Sequence, residues 1–206
     1  ATRAWFCGYD GYIWFSDDRG ASVAVQDAGV ATSQKLNQIA FASALQGYAV
    51  GNSNAFVKTV DGGDTWVAAT GPATVPVNKD LYSVTAVPNT SIVFVGDEEG
   101  NVYRSTDGGV TWETSFAATT ATAGGISGIV AWDCDLIGFV ANDQDPYWYG
   151  SSGEGVMFRS IDGGASWRGV EVPTNTGLEA ISQCEANKYW VAGTDGFVAV
   201  EAGQGI

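Results

Sequence analysis

One octapeptide recurs along this chain, and it limits the architectures open to it more than any other feature. It reads Thr59-Val-Asp61-Gly-Gly63-Asp-Thr65-Trp66, then Ser105-Thr-Asp107-Gly-Gly109-Val-Thr111-Trp112, then Ser160-Ile-Asp162-Gly-Gly164-Ala-Ser166-Trp167. A degenerate copy, Ser16-Asp-Asp18-Arg-Gly20-Ala-Ser22-Val23, lies upstream with Val in place of Trp. From Asp18 the four aspartates advance by 43, 46 and 55 positions. A period of that size marks a repeat architecture, in which each unit buries its apolar surface against its neighbours.

The residue types explain the pattern. The aspartate carboxylate is short enough to accept hydrogen bonds from backbone N–H groups of its own turn. The glycines Gly20, Gly63, Gly109 and Gly164 permit the positive φ of a tight hairpin. The hydroxyls of Thr65, Thr111 and Ser166 can close that turn. Trp66, Trp112 and Trp167 are expected to open the next strand and bury a large ring between neighbouring sheets. These are tasks of folding, and the octapeptides are expected to be structural.

Other segments recur in step with the octapeptides. Runs ending in a small residue precede them: Trp5-Phe-Cys-Gly8, Tyr48-Ala-Val-Gly51, Val93-Phe-Val-Gly96, Gly138-Phe-Val-Ala141 and Trp190-Val-Ala-Gly193. A further strand follows each, at Tyr12–Phe15, Ala55–Lys58, Asn101–Arg104, Val156–Arg159 and Phe197–Val200. A third kind comes earlier in the unit, at Leu36–Phe41, Leu81–Ala86, Ile126–Ala131 and Leu178–Ser182. One unit thus holds four short strands in about 45 residues, the measure of a propeller blade. The expected fold is all-β: one domain over 1–206, a β-propeller of about five four-stranded blades. Its repeats run over about 1–35, 36–80, 81–125, 126–177 and 178–206, with the octapeptide hairpins between third and fourth strands. The first repeat starts at its second strand and the last stops after its third, so the end blades are incomplete. A compact five-bladed ring and an arc of a larger propeller are both open, the ring being preferred. A two-sheet sandwich is the alternative fold, but it gives no reason for one hairpin to recur at one place in each unit.

Composition agrees with many short strands and tight turns. Apolar residues make up 45 % of the chain, charged residues 16 %, and there are 28 Gly against 5 Pro. No apolar run reaches membrane-spanning length, so no membrane insertion is expected. The net charge is −14, with 9 Lys and Arg and no His. Nucleic acid is therefore not an expected partner, since phosphate contacts need clustered cations. Without His there is no His-based acid–base pair or triad. Cys7, Cys134 and Cys184 match no zinc or disulfide pattern and are expected as buried free thiols. An initial Ala1 is compatible with a removed initiator Met, a cleaved leader or an excised fragment.

The octapeptide resembles the Asp-box, or BNR repeat, of sialidase-like β-propellers. The phrase Gly47-Tyr-Ala-Val-Gly51 followed by Lys58-Thr-Val-Asp-Gly-Gly-Asp-Thr-Trp66 is similar to photosystem II assembly and stability factors. Similar repeats occur in secreted and phage structural proteins. The sialidase resemblance would imply an arginine triad, a Tyr nucleophile with a Glu partner and an acidic acid–base residue. The Phe-Arg-Ile-Pro type motif is absent. Arg104, Arg159 and Lys58 occupy equivalent repeat positions, which leaves Arg3, Arg19 and Arg168 for a triad. No enzyme activity is expected.

The fourth repeat breaks the pattern with an insertion over 142–155, containing Tyr147, Trp148 and Tyr149. Outward-facing aromatics there could stack on sugars or anchor a protein interface. Asp143 and Asp145 could offer oxygen ligands to calcium, but two carboxylates fall short of a site, so no metal or cofactor is expected. The turn Asp97-Glu98-Glu99 and the pair Asp133 and Asp135 are expected to be solvated. The leading expectation is a non-catalytic binding propeller on a virion surface or secreted, contacting structural proteins or surface glycans, with its oligomeric state open. The alternatives are an assembly factor for a membrane complex and a glycoside hydrolase domain.

Overall fold

The computed structural model describes residues 3–29, 31–119, 124–135, 137–142, 155–170, 172, 177–185 and 188–202. They form eighteen short strands in five antiparallel sheets, with isolated 3-10 turns and no α-helix among them. The first sheet orders β1 (Ala4–Cys7), β2 (Tyr12–Ser16) and β3 (Ala24–Ala28). The second orders β4 (Leu36–Phe41), β5 (Gly47–Gly51), β6 (Ala55–Thr59) and β7 (Val67–Ala69). The third comprises β8 (Leu81–Ala86), β9 (Val93–Asp97), β10 (Val102–Ser105) and β11 (Glu113–Phe116). The fourth comprises β12 (Gly128–Ala131), β13 (Ile137–Asn142), β14 (Gly155–Ser160) and β15 (Arg168–Val170). The fifth is β16 (Leu178–Glu185), β17 (Lys188–Gly193) and β18 (Val198–Ala202).

Each sheet is a simple up-and-down meander, so every strand pairs with its neighbours in sequence. The sheets then stack in chain order. Strand β1 lies against β4, β4 against β8, β8 against β12 and β12 against β16. This is the blade arrangement of a β-propeller, with three four-stranded blades and a three-stranded one at each end. No comparable strand contact joins the fifth sheet back to the first among the described residues.

The cores sit in the gaps between blades. Ile13 of the first sheet meets Leu36, Ala49, Val57 and Trp66 of the second. Tyr48, Val50 and Phe56 meet Leu81, Val84, Val95 and Tyr103 in the next gap. Phe94 and Val102 meet Ile129, Ile137 and Phe139 in the third. Val140 and Met157 meet Leu178, Tyr189 and Val191 in the fourth. Alternation along each strand sends successive side chains into opposite gaps, so every inner blade is buried on both faces. That is why β5 and β9 are buried along their whole length.

Two repeated details were not legible in the sequence. A register shift interrupts the first strand of the second, third and fifth blades at Asn37, Tyr82 and Glu179. From the bulge at position 37, the Asn37 amide donates to the Leu81 carbonyl of the next blade, 2.9 Å away. The glycine ending the second strand of the second and fifth blades is there because the chain passes too close for a side chain. A Cβ on Gly51 would sit 1.9 Å from the Lys35 carbonyl oxygen, and one on Gly193 2.2 Å from that of Gly177.

Two expectations are corrected. The fourth strands begin one residue after the tryptophan, at Val67, Glu113 and Arg168, because each ring turns back toward the preceding blade. Cys134 is exposed and Cys7 only half-buried, so neither is a core thiol. Cys134 stands in the loop between β12 and β13 rather than on a strand, which explains its exposure.

Candidate functional site

The four octapeptides share one hydrogen-bond pattern. The Oγ of the first residue (Ser16, Thr59, Ser105 or Ser160) donates to the aspartate Oδ1, at 2.7–2.8 Å in all four copies. The same oxygen accepts the N–H of Gly20, Gly63, Gly109 and Gly164 at 2.7–2.9 Å. The aspartate Oδ1 accepts the backbone N–H of Ser22, Thr65, Thr111 and Ser166, and Oδ2 accepts their hydroxyls. The first-position hydroxyl is therefore the hub of the turn. Sequence reasoning gave it no role, although Ser or Thr stands there in every copy.

These bonds stabilise the ionised carboxylate. The side-chain and backbone donors of the seventh residue, followed by the first-position hydroxyl, hold Asp18, Asp61 and Asp162 down to about 2. Asp107 is lowered by the same donors from Thr111 and Ser105, with Val110 N–H contributing. Such carboxylates remain ionised at neutral pH and have their oxygens committed to the turn. They are poorly suited to act as general acids.

Each of the three complete boxes is also tied to the blade before it. The Gln26 amide donates to the Gly62 carbonyl, the Lys58 ammonium to that of Gly108 and the Ser115 hydroxyl to that of Gly164. The Trp112 indole N–H donates to the Thr70 carbonyl and that of Trp167 to the Ser115 carbonyl. Trp112 meets Phe56 edge-on, and Trp167 meets Phe116 and Phe139. The buried Trp66 packs edge-on against Phe41 of its own sheet and enters the cluster with Ile13 of the first. The second glycine of each complete box is required twice over. Its φ lies at 91°, 79° and 83° for Gly63, Gly109 and Gly164, and a Cβ there would run into Gln26, Phe56 and Phe94 of the preceding blade. At Gly20 the same space is empty. In that first box Arg19 adopts φ 65° where the others have glycine, and Val23 is exposed.

The opposite end of the blades carries the turns between second and third strands. The turns Tyr9–Gly11 and Thr194–Gly196 are alike, with Asp10 and Asp195 at φ 55° and 57°. The expected solvated turn at Asp97 is instead built inward. Asp97 is buried and accepts bonds from the N–H groups of Glu99 and Asn101, the Asn101 amide and the Tyr103 hydroxyl. Burial first, and the Asp97 charge next, push the Tyr103 phenol up to about 12. Glu98 and Glu99 both pair with Lys79, at 3.1 Å each. Asp133 and Asp135 are exposed, and the Asp135 backbone carbonyl accepts the N–H of Gly163 in its own blade's box.

The arginines considered for a triad are spread out. Arg3 reaches the second box beside Gly62, Arg19 lies in the first box, and Arg168 stands on β15 opposite Arg159. Among the described residues no group of three or more Cys, Asp or Glu is placed to hold a metal ion. Tyr147, Trp148, Tyr149, Asp143 and Asp145 lie outside the described residues.

With four boxes of one geometry on stacked antiparallel sheets, the comparisons fall on the same architecture. A family model described as photosynthesis system II assembly factor YCF48 matches residues 17–114. The chain is an Asp-box β-propeller protein. Its fold is similar to that of a YCF48 bound to a D1 peptide, at 20 % identity and TM-score 0.64, over 83 % of this chain and 51 % of that one. YCF48 from Cyanidioschyzon merolae aligns over 98 % of this Asp-box propeller and 66 % of its own chain, at 15 % identity and TM-score 0.65. The GH74 enzyme of Niastella koreensis aligns over 95 % and 32 %, at 16 % identity and TM-score 0.70. The chain thus spans about half the length of the first of these and a third of the last. At such identities the likeness is one of fold. No curated protein matches the sequence.

Proposed function

We propose that this Asp-box propeller is a non-catalytic binding module that holds a segment of another polypeptide during assembly of a protein complex. The observation that carries the reading is the match of residues 17–114 to an assembly-factor family. A solved YCF48 of similar fold holds a D1 peptide, which makes a peptide the natural ligand class to test. The box carboxylates are committed to their turns, which leaves the boxes as fasteners rather than as acid–base groups. With a net charge of −14, the chain favours a segment carrying Lys or Arg. These supports favour the assembly reading over a virion-surface or glycan-binding one.

The test is fluorescence anisotropy with extended peptides of equal length and basic, neutral or acidic composition. Binding of the basic peptides alone, weakening as salt rises, is the expected result. The reading fails if no peptide binds while a panel of fluorogenic glycosides is turned over and a single carboxylate substitution abolishes that turnover.

A further inference from the structure

The bonds that close each box come from its first, third and seventh side chains. The second and sixth side chains take no part in them. Those places hold Asp17 and Ala21 in the first box, Asp64 in the second and Thr106 in the third, so the turn accepts a polar or small residue at either. Each complete box nevertheless carries one exposed branched aliphatic there: Val60 at 69 % exposure, Val110 at 65 % and Ile161 at 44 %. The fold gives no reason for them.

Two more apolar side chains stand at the same end of the blades. Leu45, 58 % exposed, lies in the loop between β4 and β5; its carbonyl accepts the Gly62 N–H, and its Cδ2 would stand 3.8 Å from a Cβ on that glycine. Trp132, 42 % exposed, lies in the equivalent loop between β12 and β13, whose Asp135 carbonyl accepts the Gly163 N–H. The loops meet from blade to blade. The Asn89 N–H donates to the Ala42 carbonyl, and the Lys58 ammonium to that of Gly108. All five apolar residues belong to the second, third and fourth blades, each of which has a neighbour on both sides.

The charge of these loops has one sign. Over 42–46, 59–66, 87–92, 105–112, 132–135 and 160–167 they contain Asp61, Asp64, Asp107, Asp133, Asp135 and Asp162 and no Lys or Arg. The cations Lys58, Arg104 and Arg159 stand on the strands that lead into the boxes, where Lys58 is bonded to Gly108 and Arg104 to Glu113. The box carboxylates keep their charge while bonded to their turns, so their field still acts on a partner.

We propose that the box-bearing end of the second, third and fourth blades is the surface on which a partner polypeptide docks, through a segment that combines aliphatic with basic side chains. This gives the peptide-holding reading a place and a chemistry, and it rests on that reading. The aliphatic side chains of the segment cover Leu45, Val60, Val110, Trp132 and Ile161, and its Lys and Arg lie among the six aspartates. Charge steers the encounter, and the covered apolar tips carry the affinity. A second copy of this chain is the poorer occupant, because it would set the same aspartates against their like.

The test is fluorescence anisotropy on the full chain with three labelled peptides of equal length. One alternates Val with Lys, one has Ser in place of Val, and one has Glu in place of Lys. The box-end variant combines Leu45→Ser, Val60→Thr, Val110→Ala and Ile161→Thr. Its box substitutions are residues that Thr106 and Ala165 already place in another box, so it keeps the parent's circular dichroism and melting temperature. The parent binds the Val–Lys peptide and not the Glu one. Binding weakens about tenfold or more with the Ser peptide or with the box-end variant. Trp132→Ser, in a loop outside the boxes, weakens it independently. Val77→Ser, 81 % exposed at the other end of the blades, binds as the parent does. Undiminished binding by both the box-end variant and Trp132→Ser overturns the inference and leaves the assembly reading standing. A parent that binds none of the peptides overturns both. A parent that pairs with itself in light scattering, and whose box-end variant runs as a single chain, gives this surface to a second copy and also overturns the proposal.

Discussion

Replacing Ser105 by Ala tests the role of the first box residue. In the native turn Ser105 is buried, and its Oγ accepts the Gly109 N–H at 2.8 Å while donating to Asp107 at 2.8 Å. Alanine removes the acceptor and leaves the N–H of a buried glycine without a partner. Gly109 is buried beneath the Phe56 ring, which even a Cβ on it would meet at 2.5 Å, so its N–H has no room to turn toward water. An orphaned buried donor costs about 1–3 kcal/mol. In a chain of this size that corresponds to a melting temperature lower by about 2–12 °C. Ser105→Thr is the control, because Thr59 fills the same place in the second box with the same bonds. Thr111→Val removes a hydroxyl bond on the exposed side of the same turn, and a shift of only about 0–2 °C follows. Thermal unfolding followed by circular dichroism reads all three variants. A Ser105→Ala protein that melts with the parent, or above Thr111→Val, would refute the reasoning.

Two further outcomes follow from the same geometry. The box carboxylates are lowered in the folded state, Asp18, Asp61 and Asp162 to about 2, so their contribution to stability is complete above the ordinary carboxylate value. It is lost as pH falls through the folded value, so melting temperature should decline steeply between about pH 4 and pH 2; a decline centred near pH 6 would contradict this. Burial pushes the Cys7 thiol up to about 11, whereas Cys134 is exposed, so a thiol reagent at pH 8 should modify Cys134 well before Cys7. Peptide mapping of the labelled protein checks the order, and equal labelling would show that Cys7 is more open than its packing implies.

The blades were legible because the box residues act locally. Asp61, Gly63 and Thr65 lie within one turn, so their spacing alone carries the hydrogen-bond logic. The strands could be placed because small and apolar residues recur in phase with the boxes. What stayed hidden depends on partners far apart in sequence. The bulge at Asn37 matters because its amide reaches Leu81, and the glycine at 109 because Phe56 approaches it. Asp97 sat in an acidic tripeptide that composition reads as surface, yet Asn101 and Tyr103 draw it inward.

Amide hydrogen exchange followed residue by residue tests the central claim most directly: that the boxes are fasteners binding each blade to its own turn and to the blade before it. The N–H groups of Gly63, Gly109 and Gly164 are buried and each donates to a first-position hydroxyl. The account predicts protection of all three approaching that of the buried central strands β5 and β9. Exchange at the rate of an open loop, with those strands still protected, would contradict it.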